Sequence, residues 1–203
     1  MNRILTKERC IEMTKEQIKA YFTECNKNYD TIPEYDIASE MQCDGSWSVM
    51  DSTLNLKALA ELEKQFDLKL PEEYCDYIMA AAHLFTEITG NFDNFLFEDD
   101  VDVVMQTPPQ PYKEELKYIK AMFEENSLLV GLGYLPIGTF DDDGYLCVDT
   151  ENKNRLVWLP FNNCVGFTTR EEFESEEMPI FETLEEYIKC FFGGETYTIQ
   201  DEE

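Results

Sequence analysis

Between Leu135 and Phe161 the chain reads LPIGTF, DDDG, YLCVD, TENKN and RLVWLPF in succession. Three short runs of aliphatic, β-branched and aromatic residues are separated by stretches of turn-forming ones. That layout predicts an antiparallel meander, with strands near 135–140, 144–149 and 155–161. It constrains the rest of the chain, because a half-buried sheet needs helices or a second sheet to cover it.

The remaining apolar residues recur at helical spacing. Thr14 and Gln17 form a capping-box pair ahead of Ile18, Tyr21, Phe22 and Cys25, which predicts one helix. Leu59, Leu62 and Phe66 place a second in NLKALAELEKQF. The turn DLKLP ends it, and Pro71 suits the first turn of a third, expected to carry a stripe of Tyr74, Ile78, Ala81, Ala82 and Phe85. Leu116, Ile119 and Phe123 mark a fourth. Thr169 with Glu172 opens a short acidic helix, and Thr183 with Glu186 opens one that Gly193 and Gly194 stop. CDGSW reads as a tight hairpin around Asp44 and Gly45, and NFDNFLFEDDVDVVMQ as one or two further strands. Helices and strands are segregated rather than alternating. The expected fold is therefore α+β, an antiparallel or mixed twisted sheet flanked by helices in a single domain.

Charge narrows the function. The 203 residues hold 43 acidic and 16 basic side chains, a formal net charge of −27. Nucleic acid and anionic membrane are poor partners for such a surface, because each phosphate contact needs a cation. A basic protein would be the complementary partner, since a field of one sign raises its association rate, and solubility alone is the other reading of the same charge. The seven cysteines are scattered without a CxxC pair, which points to reduced, mostly buried thiols rather than a disulfide framework or zinc site. No apolar run is long enough for a membrane span and MNRILTKERC lacks the apolar core of a secretory signal, so a cytoplasmic location is expected.

Several residues could carry chemistry. In an EF-hand register with Gly144 as the loop glycine, Asp141 and Asp143 fall on ligand positions, but Thr139 and Thr150 occupy the two anchoring ones. A four-residue hairpin loop is the simpler reading of DDDG. His83 is the only histidine and is expected on the third helix; with no partner signature it reads as a structural residue. The glycines form neither a phosphate loop nor a dinucleotide fingerprint. No cofactor and no catalytic residue is assigned. What remains is surface: Asp141, Asp142 and Asp143 in the hairpin loop, and Glu171, Glu172, Glu174, Glu176 and Glu177 around Phe173, are candidate contacts for a basic partner, with Trp158 as a candidate anchor.

LAELEKQFDLKLPEEYCDYI, LPIGTFDDDGYLCVDTENKNRLVWL and IFETLEEYIKCFF follow one another in the order found in the SUKH superfamily, and the chain resembles that family over residues 53–192. The matched positions are Leu62-Glu63, Leu70-Pro71 and Tyr74, then Leu135 to Gly138, Leu146 to Asp149 and Trp158, then Phe181, Leu184, Tyr187 and Ile188. Two departures stand out: LPFNN follows Trp158 where an acidic residue would be expected, and the turn after Gly138 is Asp-rich rather than Gly-rich. The resemblance implies a non-enzymatic immunity protein that binds a cognate toxin, often a nuclease, in the bacterial cytoplasm, or a regulator like the family's yeast member. It implies a domain over 53–192, preceded by an extension over 1–52 and followed by an acidic tail over 193–203; a monomer is expected. The alternative from another class is a metal-dependent hydrolase using Asp141, Asp143 and Asp149.

Overall fold

The computed structural model describes residues 13–28, 38–93, 101–140 and 143–199. Their helices are α1 (Lys15–Asn26), α2 (Leu56–Phe66), α3 (Glu72–Ala80), α4 (Glu115–Glu125), α5 (Ser127–Gly131), α6 (Arg170–Glu174) and α7 (Leu184–Gly193). The strands are β1 (Gln42–Cys43), β2 (Ser46–Trp47), β3 (Glu87–Asp93), β4 (Val101–Gln106), β5 (Tyr134–Phe140), β6 (Gly144–Asp149), β7 (Leu156–Pro160), β8 (Met178–Phe181) and β9 (Tyr197–Thr198). The fold is α+β, a single-domain arrangement.

β3 to β9 form one sheet in the order β8-β7-β6-β5-β4-β3-β9, antiparallel except for the β3–β9 pair. The β5–β6–β7 meander pairs as the sequence predicts, with Tyr134 opposite Asp149 and Leu146 opposite Trp158. Alternation of side chains sorts its residues onto two faces. Leu135, Ile137, Phe140, Leu146, Val148 and Leu156 enter the main core. There they meet Phe22 of α1, Leu62 of α2, Tyr74 and Ile78 of α3, Phe123 of α4, and Tyr187 and Phe191 of α7. Tyr134, Cys147, Val157 and Leu159 face the other way, into a smaller core closed by Leu129 of α5 and Phe173 of α6.

Local signals set most boundaries. All three capping boxes form, at Thr14, Thr169 and Thr183. Asp44 and Gly45 both take positive φ, 35° and 87°, the backbone a two-residue hairpin needs. α7 ends with Gly194 in the left-handed region.

α3 is a correction. It stops at Ala80, so Ala81, Ala82, His83 and Phe85 do not lie on it. The chain instead becomes extended: Ala82 bridges Met50, and His83 exchanges two backbone hydrogen bonds of 2.9 Å with Gln110. Ala81, Ala82 and Phe85 are still fully buried, on an extended segment rather than on one stripe of a helix. β8 and the short α5 carried no signal strong enough to predict them.

Candidate functional site

The acidic segment after Thr169 is fastened to the smaller core from beneath. Glu172 accepts the backbone N–H groups of Thr168 and Thr169 at 2.8 and 3.0 Å, and the Thr169 hydroxyl accepts Glu172 N–H at 3.4 Å. These backbone donors hold the Glu172 carboxyl below its ordinary pKa. Arg170, one residue inside the cap, turns inward. Its Nη2 donates to Asp149 Oδ1 at 2.6 Å, its Nη1 to the Leu132 carbonyl at 2.8 Å and its Nε to Glu174 at 2.8 Å. The guanidinium also lies 4.5 Å over the Tyr134 ring.

A second arginine completes the network. Arg155 Nη2 donates to Glu177 Oε1 at 2.6 Å, and the Tyr134 hydroxyl donates to Glu177 Oε2 at 2.6 Å. Burial, and then the hydrogen bond to Glu177, push the Tyr134 phenol up. Asp149 is fully buried and the Glu177 side chain is 5% exposed. Both carboxylates are therefore occupied in holding β5, β6 and the segment before β8 together.

The candidate contact residues separate accordingly. Glu171, Glu172 and Glu174 are exposed on α6, and Glu176, half-buried, accepts from Asn163 at 2.8 Å. Glu177 does not join them as an open ligand. Trp158 is half-buried against the main core, edge-on to Phe140 with ring centroids 6.3 Å apart. Asp143 is exposed where β6 begins; Asp141 and Asp142 lie outside the described residues.

The hydrolase alternative fares differently. Asp143 and Asp149 stand at opposite ends of β6, a separation of about 20 Å at strand rise. Asp149 is moreover neutralised by Arg170. The pair cannot grip one ion. Among the described residues no group of three His, Cys, Asp or Glu side chains converges for a metal.

The arginines are what acid counting misses. Arg170 could have been found, since a basic residue inside a capping box followed by five glutamates has an obvious partner; Arg155, with Glu177 twenty-two residues away, carries no local sign. The same pattern extends over the surface. Lys19 pairs with Asp51, Lys27 with Glu24, Lys57 with Glu61, Lys69 with Glu63, Lys113 with Glu40, Lys117 with Glu114 and Lys189 with Glu185. Most described cations are thus consumed by the protein's own acids, and the outward field is that of the surplus carboxylates.

A groove of about 690 Å³ opens at the end of the sheet, between the α2–α3 turn, α5 and the β6–β7 turn. Among the described residues no helix is long and apolar enough to cross a membrane.

None of the curated proteins matches the chain. The sequence model of one family does match, over residues 53–190, which begins just before α2 and ends within α7 and so takes in the large sheet from β3 to β8, the smaller core and most of the main one, without the part that α1 and the β1–β2 hairpin supply. Members of that family are generally non-catalytic. The chain belongs to the SMI1 / KNR4 family (SUKH-1).

Proposed function

We propose that this protein is an immunity protein, which binds and neutralises a basic toxin domain through its acidic surface. Family membership is consistent with an immunity or regulatory role. The observation that carries the more specific reading is the fate of the cations. A chain of net charge −27 that spends most of its described lysines and arginines on internal pairs presents a surface complementary to a protein evolved to bind phosphate.

Glu171, Glu172 and Glu174 lie on α6, pinned from below by Arg170 and Phe173, and Glu176 lies two residues beyond its end. Carboxylates held in place lose little entropy when a partner arrives, which favours affinity. Neutralisation then needs no chemistry. A bound acidic face blocks the toxin's cationic substrate-binding surface by occupancy.

The test is genetic and direct. A toxin domain encoded beside this gene is expressed alone and with this protein, and the expected result is killing alone and growth together. Harmless expression of the toxin alone, or killing that this protein leaves unchanged, would refute the reading.

A further inference from the structure

The groove at the end of the sheet has a composition that selects its occupant. Leu70, Val130 and Leu135, all buried, form its base, and Phe66 and Leu68, half-buried, form a wall. Its rim carries two exposed carboxylates, Asp67 and Glu151. The one cation on the rim, Lys69, is already bound to Glu63 at 2.6 Å. The Asp67 carboxylate makes no hydrogen bond or ion pair among the described residues, and the Glu151 carboxylate has only Arg170, at 3.6 Å, which it shares with Asp149 and Glu174. An apolar floor under an acidic rim suits a side chain with an apolar stem and a cationic head.

We propose that this groove receives an arginine or lysine side chain presented on a loop of the partner protein. The inference rests on the reading that the partner is basic. It moves the anchoring contact away from α6 to the end of the sheet. A volume of about 690 Å³ lies within the range of sites that enclose small ligands, ample for one such side chain and the backbone that carries it. The surrounding turns are fixed: Thr150 N–H and its hydroxyl both donate to the Gly133 carbonyl, at 2.9 and 2.8 Å, tying the β6–β7 turn to the end of α5.

The groove can be filled or discharged without touching either core. A Cβ at Gly131 meets nothing within 4 Å and the residue does not need positive φ, so Gly131→Phe puts a ring into the groove. Asp67 is left-handed, φ 52°, a conformation asparagine also tolerates, so Asp67→Asn removes the charge alone.

The experiment titrates N-acetyl-arginine amide into the whole protein and follows backbone amide shifts. Saturable millimolar binding is expected, with shifts at residues 66–71, 130–135 and 150–154, abolished by Gly131→Phe. Asp67→Asn should weaken it about threefold, the worth of one exposed charge. N-acetyl-glutamate amide should give no shifts. Shifts centred on α6, shifts that never saturate, or binding unchanged in both variants would overturn the groove. Should Gly131→Phe fail to fold, Asp67→Asn and Glu151→Gln decide the matter alone. In the co-expression assay, full protection by a folded Gly131→Phe variant would overturn this inference while leaving immunity standing. Saturable arginine binding in a protein that protects against no toxin would do the reverse.

Discussion

His83 is fully buried between Phe22 and Phe85, with ring centroids 5.1 and 5.2 Å away. Neither ring nitrogen has a hydrogen-bond partner among the described residues. Burial lowers its pKa from 6.5 to about 3, because a charged imidazole there would be stripped of water. The unfolded chain therefore binds one more proton than the folded one between these values. Stability is fully present above pH 6.5 and falls as pH drops towards 3, by at most about 1.4 kcal/mol per pH unit from this group. His83→Leu, similar in volume and untitratable, should flatten the decline relative to the parent when urea midpoints are compared from pH 6.5 to pH 4. Parallel curves would show that the ring is not held neutral by burial. Arg170 makes the opposite case, a charge that must stay. Arg170→Met strands the wholly buried Asp149 carboxylate and should cost about 3–5 kcal/mol in denaturant unfolding. Pairing it with Asp149→Leu should restore most of that loss, since the penalty belongs to the orphaned charge rather than to the missing pair.

Elements whose ends are decided within four residues were legible from the sequence. The capping boxes at Thr14, Thr169 and Thr183 and the Asp44-Gly45 turn depend on neighbours alone, and each formed. α3 was misjudged at its far end for the opposite reason. The run Ala80 to Ala82 favours a helix locally, but Ala82 and His83 are taken by Met50 and Gln110, residues more than twenty-five positions away. β8 was missed because a four-residue edge strand containing Pro179 barely differs from loop, and its partner β7 supplies the definition. The candidate site was legible to the same degree. The acids of α6 announced themselves, whereas the roles of Glu177 and Asp149 depended on arginines brought in by the fold. Packing between elements gives its own prediction at Gly90. A Cβ there would stand 2.9 Å from Cys190 Sγ and Phe191 Cε1, so β3 and α7 touch only because the residue has no side chain. Gly90→Ala should lever α7 off the sheet and cost about 1–3 kcal/mol, read as a lowered melting temperature. An unchanged melt would mean that α7 does not bear on β3.

At the scale of the molecule, the question is why a protein would accept a charge of −27. Like charges on a compact body repel, and the described cations relieve that only locally, in pairs such as Lys69 with Glu63 and Lys189 with Glu185. Those pairs sit at the surface and contribute little to stability one by one. Their larger effect is on the outside field, because each paired cation is unavailable to soften it elsewhere. A basic partner approaching from solution therefore meets an attractive potential over a wide range of orientations, and encounter becomes frequent before any contact forms. Such steering must weaken as the screening length contracts, from about 10 Å at 0.1 M salt to about 3 Å at 1 M. Stopped-flow association with the cognate toxin domain should then slow by about 10-fold to 100-fold between those concentrations. Dissociation should change far less, since it is governed by contacts already desolvated at the interface. A charge-neutral variant of α6, Glu171→Gln, should reduce the slope of that salt dependence while leaving the melting temperature close to that of the parent, because this exposed side chain makes no hydrogen bond or ion pair among the described residues. An association rate indifferent to salt would leave the net charge a matter of solubility alone and remove electrostatics from the account of binding.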